Sequence, residues 1–305
     1  MSSDFPVHPE LGTVIVGVDG SPSARTAALW AADEAARRGQ SLYLVHAADT
    51  DRRAVFVRAE TLQAIREAGR DLLDETAAAV EKEHPDLTVV KELSKLEPVA
   101  ALSATAGRRG TIVVGNRGLG GFAALMLGSV GLGVAARATV PVIVVRDHGD
   151  RPEIGTVTAA VHGASDLSWL RVAAAEAEAR KASLRLLSVW NVLTHVGSVA
   201  TMLDDLDEIA LTRVQEVREI ADLVRHSHPG LTVSHHVETG TSTPGILVDA
   251  SAHTDLLVMG TEHRALGVAP ALGRVAHVVL HHAHCPVQIV PSDFTAWERR
   301  EEQER

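Results

Sequence analysis

The chain of 305 residues has few aromatic side chains, 3% of the total, and one cysteine, Cys285. With so few rings its cores must be built from Val, Leu, Ile and Ala, which suits parallel sheets covered by helices. A lone cysteine excludes an internal disulfide and fits a reducing compartment. Long basic runs are missing too. The formal net charge is −10, and Arg37-Arg38, Arg52-Arg53 and Arg108-Arg109 are isolated pairs. This argues against nucleic acid as a partner, since its affinity depends on clustered charges that neutralise phosphates. The uncharged stretch Phe122 to Ala136, with three glycines, is too short to span a bilayer. The start, MSSDFPVHPELG, has neither the basic beginning nor the apolar core of an export signal. Together these absences predict a cytoplasmic protein with no membrane segment.

Several sequence motifs are absent as well. There is no G-x-x-x-x-G-K-[ST], hence no P-loop lysine, and no G-x-G-x-x-G after Val18, where a dinucleotide turn would stand. HExxH, CxxC and nucleophile-elbow patterns are also lacking.

What is present is a succession of β-branched runs and Ala-rich periodic segments. Thr13 to Val18 reads as a strand entering a turn at Asp19-Gly20-Ser21-Pro22, and Ser23 to Arg38 as a helix stopped by Gly39. Ser41 to Ala48 is a second strand, and a linker with Asp51, Arg52 and Arg53 leads to a long polar-apolar periodic segment, Phe56 to Glu83, ended by His84-Pro85. Leu87 to Val90 is expected as a third strand and Glu97 to Arg108 as a helix with Pro98 in its first turn. The last strand runs from Pro141 to Arg146. Five such units in order point to a doubly wound parallel sheet.

The chain is organised around Thr111 to Val145. Ile112 to Val114 reads as a buried strand ended by Gly115; Gly118 follows, and Gly128-Ser129 opens an Ala-rich segment that closes before Pro141. Glycines at a strand end let the backbone approach a ligand closely. A serine where a helix begins can help its free N–H groups hold an anion at the positive end of the helix dipole. The alternative needs no ligand: a glycine-rich turn with Ser129 as helix N-cap and close helix packing.

The text then repeats. Thr156 to Gly163 aligns with Thr13 to Gly20, His228-Pro229-Gly230-Leu231-Thr232-Val233 echoes His84-Pro85-Asp86-Leu87-Thr88-Val89, and Pro244 answers Pro98. The strand into Gly260 answers the strand into Gly115, and Cys285-Pro286-Val287 answers Val140-Pro141-Val142. Duplication follows from these anchors at near-constant offset. The expected division is a first domain over residues 1–148, a linker over 149–155, a second domain over 156–292 and a charged tail over 293–305.

The run Gly115-x2-Gly118-x9-Gly128-Ser129 resembles the ATP-binding pattern of the universal stress protein family, and the resemblance covers almost the whole chain in its tandem form. It implies two tandem Rossmann-like domains of the adenine nucleotide alpha hydrolase-like type. Each would be α/β, a five-stranded parallel sheet of order 3-2-1-4-5 with helices on both faces. The resemblance places the site at the carboxyl ends of strands 1 and 4, where the switch point of an open sheet also opens a crevice. Asp19 is assigned to Mg²⁺, because a carboxylate beside a polyphosphate is repelled unless a cation intervenes; an Asp-Gly turn with helix capping is the plain alternative. Gly115 and Gly118 are assigned to ribose and phosphates, and Gly128, Ser129 and the Val130 amide to the outer phosphates. Arg117 is a candidate for a phosphate or simply an exposed loop arginine. By resemblance alone, adenine is read by main chain around Val45 to Ala47, and the protein is a homodimer.

The second half departs from the pattern, with His162 for Asp19, His263 for Gly118 and Gly273-Arg274 for Gly128-Ser129. It is expected to bind ATP weakly or not at all. His277, His281, His282, His284 and Cys285 invite a zinc reading, although histidines in a last helical turn also suit the helix dipole. No base or lysine accompanies the glycine motif in a recognisable pattern, so no catalytic residue is assigned. The expected function is an ATP-binding stress or dormancy protein with the nucleotide as effector and slow hydrolysis at most. The rivals are a true ATPase or phosphotransferase, and an interaction module that binds no nucleotide or a cyclic one.

Overall fold

A computed structural model describes residues 11–118, 127–146, 152–162, 169–191, 203–261 and 272–291, together with Phe294. The chain divides into two compact units, one formed largely by the first half and one by the second.

In the first unit, strands β1 (Val14–Gly17), β2 (Leu42–Ala47), β3 (Val89–Ser94), β4 (Thr111–Gly115) and β5 (Val142–Val145) form a parallel array in the order β3-β2-β1-β4-β5. Helices α1 (Pro22–Arg38) and α3 (Ala59–Glu83) pack together and against strands, as do α4 (Pro98–Ala106) and α5 (Ser129–Arg137). Such a sheet has two faces to cover, and the two helix pairs cover them. The central strands are accordingly apolar throughout, with Val14, Ile15, Val16, Ile112, Val113 and Ile143 at most 1% exposed.

Local signals explain most of the element ends. Helix α1 starts at Ser21, whose hydroxyl accepts the Ala24 N–H, has Pro22 in its first turn, and stops at Gly39 with φ 61°. At the end of the sheet remote from the strands' carboxyl termini, Arg38 donates to Glu34 at 2.7 Å and to the Thr111 hydroxyl at 2.9 Å. This buried pair ties the end of α1 to the start of β4. Its repeat in the second half is the buried pair Glu176 and Arg180.

Two expectations need correcting. The third strand is Val89–Ser94, and Leu87 precedes it. It carries Lys91 and Glu92 because it is the outermost strand of the unit, where its polar side chains meet solvent. The expected linker around Asp51 to Arg53 is a short helix, α2 (Thr50–Arg53).

The second unit repeats the arrangement with β6 (Thr156–Val161), β7 (Ser183–Asn191), β8 (Val233–Gly240), β9 (Leu256–Thr261) and β10 (Val287–Pro291), in the order β8-β7-β6-β9-β10. Among the described residues its helices are α6 (Leu170–Ala179), α7 (Leu203–Ser227), α8 (Thr243–Ser251) and α9 (Arg274–His282). Both halves therefore show the α/β class and the 3-2-1-4-5 strand order expected of them. Among the described residues, no helix is long and apolar enough to cross a membrane.

Candidate functional site

A cavity of about 280 Å³ opens in the first unit where β1 and β4 end. Helices leave β1 and β4 on opposite faces there, so the chain parts and leaves a crevice. Asp19, Val45, Gly115, Arg117, Gly118, Gly128, Ser129 and Val130 all line this one cavity. Gly17, Val18, His46, Ala47, Pro98 and Leu102 contribute to the rest of the wall, which is largely apolar. Its volume lies just under the usual range for small-molecule sites.

One wall is the start of α5. Gly128 is the N-cap and Ser129 the first helical residue, so the alternative reading of Ser129 as the N-cap is not observed. No side chain caps this helix, and its hydrogen-bond ladder begins with Leu132 N–H donating to Gly128 C=O. The amides of Ser129, Val130 and Gly131 thus precede the ladder at the positive end of the dipole.

The adjoining wall is the loop Gly115–Gly118, sewn in place by Asn116. Its N–H donates to Val145 C=O at 2.9 Å, and its C=O accepts from Gly128 N–H at 2.9 Å. Its side-chain oxygen accepts from the Ser23 hydroxyl at 2.7 Å, and the same hydroxyl accepts the Arg117 N–H at 3.2 Å. The first turn of α1 therefore clamps the loop. Asn116 and Ser23 carry no special weight in the sequence, since Asn116 falls on an unspecified place of the glycine motif and Ser23 lies outside it.

The motif glycines differ in what they face. A side chain at Gly115 would put its Cβ 2.5 Å from Ser23 Oγ and 2.7 Å from Ser23 O, so the packing of α1 requires glycine there without any ligand. At Gly118 the nearest atom is Asp19 Oδ2, at 2.6 Å. At Gly128 the neighbours are 3.6 Å or more away and φ is −64°, which any residue adopts.

Asp19 does two things. Its Oδ1 accepts the Ser21 N–H at 3.0 Å, the turn-and-cap geometry, while Oδ2 lies against Gly118, 2.6 Å from where a Cβ would stand. One carboxylate oxygen presented between a loop and a helix N-terminus fits Mg²⁺, which takes one or two carboxylates together with phosphate and water oxygens. Positive charge collects nearby. Arg146 follows β5, and burial together with the charge of Arg117 holds its guanidinium below the usual arginine range. His46, missed in the sequence because it sits in an apolar strand, bonds Val18 C=O through Nδ1 at 2.8 Å. A carbonyl only accepts, so this nitrogen carries the proton.

The second unit differs at the matching places. His162 ends β6 exposed, and Arg274 is the first residue of α9 after the N-cap Gly273. Gly260 abuts the Trp169 indole, which lies 2.5 Å from where a Cβ would stand. His263 lies outside the described residues. No group of three metal-ligating side chains occurs among the described residues. The His277 and His281 rings stack at 4.5 Å, tilted by 53°, and Cys285 is a buried thiol.

Comparison with known proteins agrees with this architecture. The model of the universal stress protein family matches residues 10–146 and again 154–291. Universal stress protein Rv2624c of Mycobacterium tuberculosis is 30% identical over 298 residues, covering 93% of this chain and 97% of that one. A universal stress protein of Mycolicibacterium smegmatis is 37% identical over 143 residues, covering 47% of this chain and 48% of that protein. The crystal structure of a universal stress protein from Archaeoglobus fulgidus has a similar fold, with a TM-score of 0.66 at 18% identity over 92% of this chain and 98% of that one. With a family match on each half and a relative aligned along nearly its whole length, the chain belongs to the universal stress protein family.

Proposed function

We propose that the first half binds ATP with Mg²⁺ and that the nucleotide acts as an effector in a stress or dormancy response. The observation that carries this reading is the cavity itself. An uncapped helix start, a glycine loop beside it and a carboxylate facing that loop all meet in one crevice at the carboxyl end of the sheet. Amides at the start of α5 would receive the outer phosphates, and Asp19 would hold the cation that joins them to the protein. Arg117 and Arg146 add positive charge on the same side. The apolar wall towards β2, with Val45 and Ala47, suits the base.

Bound Mg²⁺ supplies charge neutralisation between Asp19 and the phosphates. The acid–base groups of the lining are Asp19, His46 and Arg117, and His46 is already engaged with Val18. This set supports holding a nucleotide better than activating a nucleophile against it, so hydrolysis is slow at most. The second half, with His162 and Arg274 at the matching places, serves as a partner and binds none. The protein is cytoplasmic and associates as a homodimer in this reading.

Isothermal titration with ATP, cyclic AMP and GTP in Mg²⁺, together with a single-turnover hydrolysis assay, tests it. The expectation is one ATP per chain, weaker binding of GTP and cyclic AMP, and turnover far below that of ordinary kinases. Absence of nucleotide binding would leave an interaction module, and kinase-like turnover would make the protein an enzyme.

A further inference from the structure

Nucleotide loops usually draw attention to the residues that touch the ligand, yet the shape of this one is set from behind. Three hydrogen bonds converge on Asn116: its amide to β5, its carbonyl to the Gly128 amide, and its side chain to Ser23. The Ser23 hydroxyl is used twice, as donor to Asn116 Oδ1 at 2.7 Å and as acceptor for the Arg117 amide at 3.2 Å. A second hydroxyl of the same helix turn, that of Ser21, reaches the Arg117 carbonyl at 3.4 Å. Ser21 also donates its amide to Asp19. The first turn of α1 is thus joined on one side to the carboxylate and on the other to the glycine loop.

We propose that Ser23 and Asn116 are positioning residues that hold the Gly115–Gly118 loop in its phosphate-receiving shape, so that affinity for the polyphosphate depends on their hydrogen bond. The proposal rests on the ATP reading above and adds to it the device that presets the loop. Neither residue lines the cavity, and each acts through the backbone it fixes. Without the Ser23 hydroxyl, the Arg117 amide turns to water and the loop samples shapes that leave the α5 amides and Asp19 out of register. A ligand must then select the competent shape from this ensemble, and its apparent affinity falls by the fraction lost. Adenosine, which meets the loop through its ribose alone and has no phosphate to place, makes far less demand on the loop's shape and escapes most of this loss.

The test is isothermal titration of ATP and of adenosine in Mg²⁺ into the full chain, as wild type, Ser23→Ala, Asn116→Ala and the double variant. ATP is expected to bind about tenfold more weakly to Ser23→Ala, the scale of one or two lost hydrogen bonds, while adenosine stays within about twofold. The double variant is expected to lose no more than the weaker single variant, because both remove one clamp. Equal ATP affinity in wild type and Ser23→Ala overturns the clamp and leaves the ATP reading standing. Parallel loss of ATP and adenosine overturns it too, since that marks general damage. A wild type that binds no ATP overturns both. Should Ser23→Ala fail to fold, Ser23→Cys, similar in shape with only a weak donor, carries the same comparison.

Discussion

Replacing Gly115, Gly118 and Gly128 by alanine, one at a time, should give three different outcomes, although the sequence motif treats the three alike. At Gly115 the new methyl would meet Ser23 O at 2.7 Å and Ser23 C at 2.8 Å, which are backbone atoms at the start of α1. Backbone yields only by moving a helix, so the cost falls at the upper end of overpacking, roughly 2–3 kcal/mol. In thermal denaturation this is a drop of about 5–10 °C. At Gly118 the methyl would stand 2.6 Å from Asp19 Oδ2, the end of a side chain at the cavity wall. The carboxylate can swing aside, at the expense of its hydrogen bond from Ser21 N–H. The fold then loses about 1 kcal/mol, but the cation ligand leaves its place and ATP affinity falls on the order of tenfold to a hundredfold. At Gly128 the nearest atom lies at 3.6 Å, so the methyl fits and the cost is the ordinary one of a poorer N-cap, about 0.5–1 kcal/mol. Melting followed by circular dichroism and titration with Mg-ATP read the two quantities separately. Wild-type melting of Gly115→Ala would refute the packing argument, and undiminished ATP affinity of Gly118→Ala would refute the placement of the phosphates.

Other outcomes follow from the same geometry. Ser129→Ala should weaken ATP binding by about 1 kcal/mol, some fivefold, because the amides at the start of α5 remain; titration calorimetry reads this directly. Arg117→Gln should lower ATP affinity and flatten its dependence on salt, measured between low and moderate ionic strength. Glu34→Ala leaves the buried Arg38 without its carboxylate and should cost about 3–5 kcal/mol in urea denaturation of the first unit. Phe56, 86% exposed after α2, should tolerate serine with no measurable change in melting.

The strands and the duplication were legible in the sequence because buried parallel strands must be apolar on both faces, as in Val14 to Val16 and Ile112 to Val114. The third strand was misplaced for the complementary reason. At the edge of the unit, Lys91 and Glu92 are allowed, so its last residues look like a loop. The candidate site residues named from the sequence all line one cavity. What the sequence could not show is that Gly115 is bare because α1 packs on it, and that Asn116 and Ser23 hold the loop. Such contacts join residues more than ninety positions apart, and short-range spacing carries no trace of them. Of the two readings of Ser129, the ligand-free one as helix N-cap falls to its neighbour: either residue of the Gly128-Ser129 pair suits a cap, and backbone geometry chose Gly128.

The central claim is that Mg-ATP occupies the first-half crevice and only that one. Native mass spectrometry of the intact chain titrated with Mg-ATP, beside Gly118→Asp, tests it most directly, since the variant sets a second carboxylate against Asp19 where the phosphates belong. The account predicts one nucleotide per chain in the wild type and none in the variant. Two nucleotides per chain, or one retained by Gly118→Asp, would contradict it.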